Sequence, residues 1–176
     1  MIAASERSET EATPVTFDAV FTKYHRWVAG IAARLTGRTA DVEDVVQDVF
    51  LVCARKIDAI ESLDAAKPWL RTVTVRVVRK RLRRKKWQAW FLSDDTALGE
   101  LPYRGLSPEE RAMLEALQRA LEALPVNQLV AWTLRHVEGA SLDDVARSCE
   151  CSLATAKRWI AAAATHLKDE GHGRTP

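Results

Sequence analysis

No stretch of this sequence comes near the ~20 consecutive apolar residues that a bilayer-spanning helix requires, so membrane insertion is not expected. The opening MIAASERSETEATP lacks a basic start leading into an apolar block, so no signal peptide is read there. Cysteine is scarce. Cys53, Cys149 and Cys151 do not make a disulfide framework, and the expectation is a reduced, cytoplasmic protein. The four histidines, His25, His136, His166 and His172, have no metal-ligand spacing; Cys149-x-Cys151 is too tight for a zinc knuckle and has no second pair. Neither a phosphate-cradling glycine loop nor a nucleophile elbow occurs. The expectation is therefore no metal, no cofactor and no catalysed reaction. Strand periodicity is missing as well, which leaves an all-α fold.

What is present begins with an uneven charge distribution. The net charge is only +2, too small by itself to suggest a polyanion partner. Yet between Ala65 and Ser93 there are ten basic residues and no acidic one: Lys67, Arg71, Arg76, Arg79, Lys80, Arg81, Arg83, Arg84, Lys85 and Lys86. The +2 total less these ten leaves the remainder of the chain at −8. A basic stripe on an otherwise acidic chain marks a localised nucleic-acid surface. A helix so densely like-charged also repels itself unless a polyanion or an acidic surface lies alongside.

Hydrophobic residues make up 47% of the chain, enough for two small cores. Residues 1–14 are small, polar and acidic and are expected to be disordered. A first helix is expected from about Thr16 to Thr36, with Phe17, Val20, Phe21, Tyr24, Val28, Ile31 and Leu35 inward and Gly37 ending it. A second should run from Asp41 to about Ile60 on Val42, Val45, Val46, Val49, Phe50, Cys53, Ile57 and Ile60. Its outer face shows Asp41, Asp44, Gln47, Asp48 and Leu51. Those carboxylates suit either a solvated helix N-terminus or docking to a basic partner. After a connection over 61–67, Pro68 opens a third helix to about Trp90, with Leu70, Val73, Val77, Val78 and Leu82 inward. Trp87, Trp90 and Phe91 at its end either stack on single-stranded bases or cover the end of the core.

Residues 93–106 lose periodicity and read as a linker; Ser107-Pro108-Glu109-Glu110 then restarts helix with a capping box. Met113, Leu114, Leu117, Leu121 and Leu124 follow at helical spacing. Pro125 forces a new helix to about Glu138, carrying Leu129, Val130, Thr133, Leu134 and Val137. The segment Ser141–Leu167 then reads as a helix-turn-helix. Ser141 caps its first helix with Asp144 closing a capping-box-like pair, Cys149-Glu150-Cys151 makes the corner, and Ser152 caps the second helix. Ala156, Ile160, Ala163 and Leu167 form the buried stripe of that second helix. Its opening turns present Thr155, Lys157, Arg158 and Trp159, where a recognition helix meets base edges. Residues 171–176 read as a loose tail. The division is 15–92 and 107–170, three helices and four.

Taken together, DVEDVVQDVF over Asp41–Phe50, Pro68-Trp69-Leu70 entering a basic helix, and Leu121-x-x-Leu124-Pro125 before a helix-turn-helix resemble an extracytoplasmic-function (ECF) sigma factor of bacterial RNA polymerase. The resemblance spans Phe17 to about Trp87 as sigma region 2 and Ser107 to about Lys168 as sigma region 4. It implies a transcription initiation factor whose partners are core RNA polymerase (beta-prime coiled coil and beta flap) and promoter DNA, with an anti-sigma factor as a further candidate partner. It implies that Asp44, Gln47, Asp48 and Leu51 dock on core polymerase. Residues 58–67 and the helix carrying Arg76, Arg79, Lys80, Arg83 and Arg84 would meet the minus-ten element, and Thr155, Lys157, Arg158 and Trp159 the minus-thirty-five element. Three departures stand out. Arg76 and Lys80 replace the usual Asn and Asp, Glu150 stands where the corner glycine is usual, and Ala161 to Ala164 replace late arginines. The residues by themselves leave two other readings open: a stand-alone helix-turn-helix regulator, and a basic RNA-binding or adaptor protein.

Overall fold

The computed structural model describes residues 15–36, 41–92 and 107–172, with side chains beyond Lys86 in the third helix and beyond Glu170 in the last left out. The expectations of disorder in 1–14, of Gly37 as a helix stop, of a linker over 93–106 and of the Trp87, Trp90 and Phe91 roles fall outside this description. Among the described residues there are seven α-helices and no strand: α1 Phe17–Thr36, α2 Val42–Arg55, α3 Leu63–Leu92, α4 Pro108–Ala123, α5 Val126–His136, α6 Leu142–Ser148 and α7 Leu153–His172. The last runs two residues into the expected tail.

α1 buries Val20, Tyr24, Val28, Ile31 and Leu35, the face its spacing marks, and Phe21 stays exposed at its edge. α2 buries Val45, Val49, Phe50 and Cys53 but does not reach Ile60. Lys56 leaves helical geometry and a single 3-10 turn, Ile57–Ala59, follows. α3 in turn starts at Leu63, not at Pro68. The Ser62 hydroxyl accepts from the Ala65 amide at 3.1 Å and its carbonyl from the Ala66 amide at 3.1 Å, which makes Ser62 the cap. Pro68 is therefore a second-turn residue, tolerated because its fixed φ is helical and only one N–H near the helix start is lost.

The largest difference from expectation concerns how much of α3 is covered. One inward stripe was expected; Leu70, Val73, Thr74, Val75 and Val78 are all buried. The reason is that α3 packs against α1 and α2 and also against α5 and α6. Buried residues of both halves, from Val20 to Ala156, form one continuous apolar cluster. Thr74 is accommodated by donating its hydroxyl to the Leu70 carbonyl at 2.7 Å.

In the second half the expected capping box is complete: Glu110 N–H donates to Ser107 Oγ at 3.2 Å and Ser107 N–H to Glu110 Oε2 at 2.8 Å. The apolar stripe after it is not buried as expected. Met113 is 75% exposed, Leu114 and Leu117 are exposed too, and the helix buries only Ala120 before Leu124. Val137, at the end of α5, is also exposed. α5 itself packs Val130, Ala131, Thr133 and Leu134 inward and stops at Gly139, whose φ of +65° is left-handed.

Candidate nucleic-acid and polymerase interfaces

The corner between α6 and α7 is built from local rules. Ser141 Oγ accepts from the Asp144 amide at 3.1 Å and donates to the Asp144 carboxylate at 2.8 Å. Asp144 thus closes back on the serine hydroxyl. That hydroxyl bond first, then Arg71 and Arg147, holds the Asp144 carboxyl below its ordinary value. At the far end of α6, Cys151 N–H donates to the Ala146 carbonyl at 3.0 Å and Glu150 N–H to the Arg147 carbonyl at 3.2 Å, the two bonds of a Schellman turn. The turn needs a left-handed residue, and Glu150 supplies it with φ 53°. Burial pushes the Cys149 thiol up to about 12, so it is a protonated packing group at neutral pH.

Ser152 caps α7 through the Thr155 amide at 3.1 Å, and its hydroxyl pairs with Thr155 Oγ1 at 2.9 Å. Ala156 and Ala163 are fully buried, with Ile160 and Leu167 half-buried behind them. Of the four residues expected on the outer face, Lys157 and Arg158 are exposed to solvent. Thr155 is half-buried in the cap. Trp159 is half-buried as well, packed on the apolar cluster, which corrects its expected place at the exposed edge.

The basic helix α3 carries two stripes. Arg76, Arg79, Arg83 and Lys86, spaced 3, 4 and 3 apart, share a face and meet the second half of the chain. Arg76 pairs with Glu150. Arg79 donates to the Cys149 carbonyl at 2.7 Å and to Asn127 Oδ1 at 3.1 Å; Arg83 donates to the same Asn127 oxygen at 3.1 Å. Lys86 donates to the Glu122 carbonyl at 2.9 Å and to that of Leu124. Cations therefore sit on the carbonyl-rich C-terminal ends of α4 and α6, where the helix dipole is negative. Arg71 adds a tie at 3.5 Å to Asp144 while lying over the Trp27 ring, and Arg34 of α1 pairs with Glu138.

The second stripe faces α2. Arg81 reaches Asp44 at 3.1 Å and Asp48 at 2.5 Å, and Lys85 pairs with Asp41. Asp48 first, and Asp44 after it, raise the Arg81 pKa. Lys80 and Arg84 are exposed and line the same groove. On the other side of α2, Gln47 and Leu51 border an apolar groove with Phe17, Phe21, His25 and Phe50.

Comparison with known proteins places this architecture. Residues 20–88 match the Sigma-70 region 2 family and residues 114–167 the Sigma-70 region 4 family. The chain is 33% identical over 152 residues to the ECF RNA polymerase sigma factor SigM of Mycobacterium tuberculosis, covering 86% of this chain and 74% of that protein. The chain belongs to the ECF sigma factors. It is also 27% identical over 167 residues to the ferric citrate uptake sigma factor FecI of Escherichia coli, covering 92% of this chain and 94% of FecI. The fold matches that of the sigma factor RpoE of Bartonella quintana, solved in complex with the anti-sigma factor NepR, with a TM-score of 0.66 and 22% identity over 90% of this chain and 98% of that one. As a sigma factor the chain joins core RNA polymerase and directs it to promoters. Among the described residues no helix is long and apolar enough to cross a membrane, and no group of three or more His, Cys, Asp or Glu is placed to hold a metal ion.

For this sigma factor, sequence reasoning missed the internal partners of the basic helix. Asn127, Asp144 and Glu150 were not assigned to it, nor Glu138 to Arg34 of α1. The 3, 4, 3 spacing of Arg76, Arg79, Arg83 and Lys86 was the legible signal that one face would seek one surface. Glu150 in a glycine position was the other.

Proposed function

We propose that promoter contact and polymerase docking are divided over three surfaces of this sigma factor. Lys157 and Arg158, with Thr155 behind them in the cap and Trp159 as a half-buried buttress, form the surface that meets the minus-thirty-five element. The α3 residues Arg76, Arg79, Lys80, Arg83 and Arg84 form the surface for the minus-ten element. Asp44, Gln47, Asp48 and Leu51 form the surface that docks on the beta-prime coiled coil, with α4 offering Met113, Leu114 and Leu117 to the beta flap. Residues 15–92 and 107–170 are the two functional domains, acting in the cytoplasm and catalysing no reaction themselves. An anti-sigma factor, like the NepR bound to the related fold, is a further candidate partner.

The observation that carries this reading is the display of Lys157 and Arg158 in the opening turns of α7 while Ala156 and Ala163 anchor its back. Lys157→Ala with Arg158→Ala should leave retention on core polymerase unchanged. Promoter binding by the holoenzyme should weaken by about 1–3 kcal/mol for each base pair that is no longer read. Asp44→Arg with Gln47→Ala should do the reverse, since repulsion across an interface weakens association directly. Pull-down and run-off transcription with core polymerase read the two effects, and a double variant at Asp44 and Gln47 that still binds core polymerase normally defeats the docking assignment.

A further inference from the structure

Among the basic residues that α3 turns toward α2, Lys80 and Arg84 are exposed, whereas Arg81 is tied to α2. Its Nη1 donates to Asp44 Oδ2 at 3.1 Å, and its Nη2 to Asp48 Oδ2 at 2.5 Å and to the Asp44 carbonyl at 3.3 Å. Its Nε donates to the same Asp48 oxygen at 3.2 Å. One planar fork thus spans a full turn of α2, from position 44 to position 48. The fork takes one oxygen of each carboxylate, and a carboxylate accepts on both. Arg81 is also the most covered member of the trio: its side chain is 30% exposed, against 63% for Asp44 and 46% for Asp48. A cation from outside can therefore meet both carboxylates with the fork still in place.

From this we infer that Arg81 is a positioning residue for polymerase docking: from α3 it holds the Asp44 and Asp48 carboxylates where a basic partner helix meets them, and it makes no promoter contact. The inference rests on the reading of α2 as the docking face. Two aspartates at i, i+4 repel each other, and an incoming partner has to order both side chains. The fork removes both costs before docking. It also cancels part of their charge, which weakens attraction to a basic surface. That loss is the smaller effect, because the carboxylates are wet and their long-range field is screened by salt. Orientation decides. A lysine would not serve as well, since an ammonium is a point charge and not a fork that fixes two carboxylates at once. The basic helix is thereby divided, with Lys80 and Arg84 open beside the groove and Arg81 serving α2.

The test titrates the fluorescently labelled full chain with core polymerase. Arg81→Gln should bind roughly tenfold more weakly than the parent, the factor that ordering two side chains at an interface amounts to. Arg81→Lys keeps the charge but loses the fork, and should fall between, at roughly threefold. Both should melt with the parent, since an ion pair this exposed contributes little to stability. Unchanged or tighter binding by Arg81→Gln overturns the inference, because neutralisation would then be all that Arg81 does. A second arm separates positioning from structure. In an Asp44→Asn, Asp48→Asn background, Arg81→Gln should have no further effect on core binding; the same loss as in the parent overturns the inference. Promoter binding by Arg81→Gln holoenzyme, formed at saturating core polymerase, should equal the parent's, and a loss there makes Arg81 a DNA contact and overturns it too. The docking reading fails separately: if Asp44→Asn with Asp48→Asn binds core polymerase as the parent does, the α2 assignment falls and the role of Arg81 with it.

Discussion

At the scale of single residues, two side chains carry more than their positions suggest. Glu150 holds φ 53°, a conformation that costs a non-glycine residue roughly 1–2 kcal/mol. Glu150→Gly and Glu150→Ala both remove the Arg76 pair, so their difference isolates the backbone. The glycine variant should be more stable than the alanine variant by about 1 kcal/mol in urea denaturation; equal stabilities would show that the corner carries no strain. Asp144 has its carboxyl held below the ordinary value by the Ser141 hydroxyl, with Arg71 and Arg147 adding to it. A depressed folded value means that its stabilisation is fully present above the unfolded value and is lost as pH falls through the folded one. The stability gap between the parent and Asp144→Asn should therefore be widest near neutral pH and close on acidification below pH ~4. A gap that stays constant with pH would remove the ionised Asp144 from the interface.

Among the elements, α4 contrasts most sharply with its sequence. Its start is secured by a reciprocal capping box, yet the leucine stripe beyond has little to lie on. Ser107→Ala should cost about 1 kcal/mol and raise amide exchange in the first turns of α4 ahead of the rest of the molecule. Exchange that rises evenly along α4 would argue against a locally held N-terminus. α3 shows the opposite case: a helix whose charges suggested one wet face is covered along two sides, because its arginines find acceptors on α2, on α5 and at the α6–α7 corner.

For the whole molecule, the two sigma domains share one continuous apolar cluster as well as the charged contacts along α3. A chain cut between residues 93 and 106 should accordingly elute as a complex on gel filtration and not as two separate fragments; fragments that part on cutting would show that the shared cluster contributes little to holding them. Much of this was legible beforehand. Seven helices, the capping box at Ser107, the stops at Gly139 and Glu150 and the inward faces of α1 and α2 follow from i, i+3 and i+4 spacing and from caps, which act within a few residues and so are written locally. The display of Lys157 and Arg158 follows in the same way from Ser152 and the Ala156–Ala163 stripe. Which surface α3 would face did not follow, because Arg79 meets Cys149 and Asn127 across 70 and 48 residues of chain, and Arg34 meets Glu138 across 104. Periodicity tells a helix which side to bury and says nothing about what buries it. Only the docking of one half on the other decided that the Thr74 and Val75 side chains would be covered, that Met113 and Leu117 would not, and that the most basic helix of this sigma factor would turn its charge on the chain's own carbonyls.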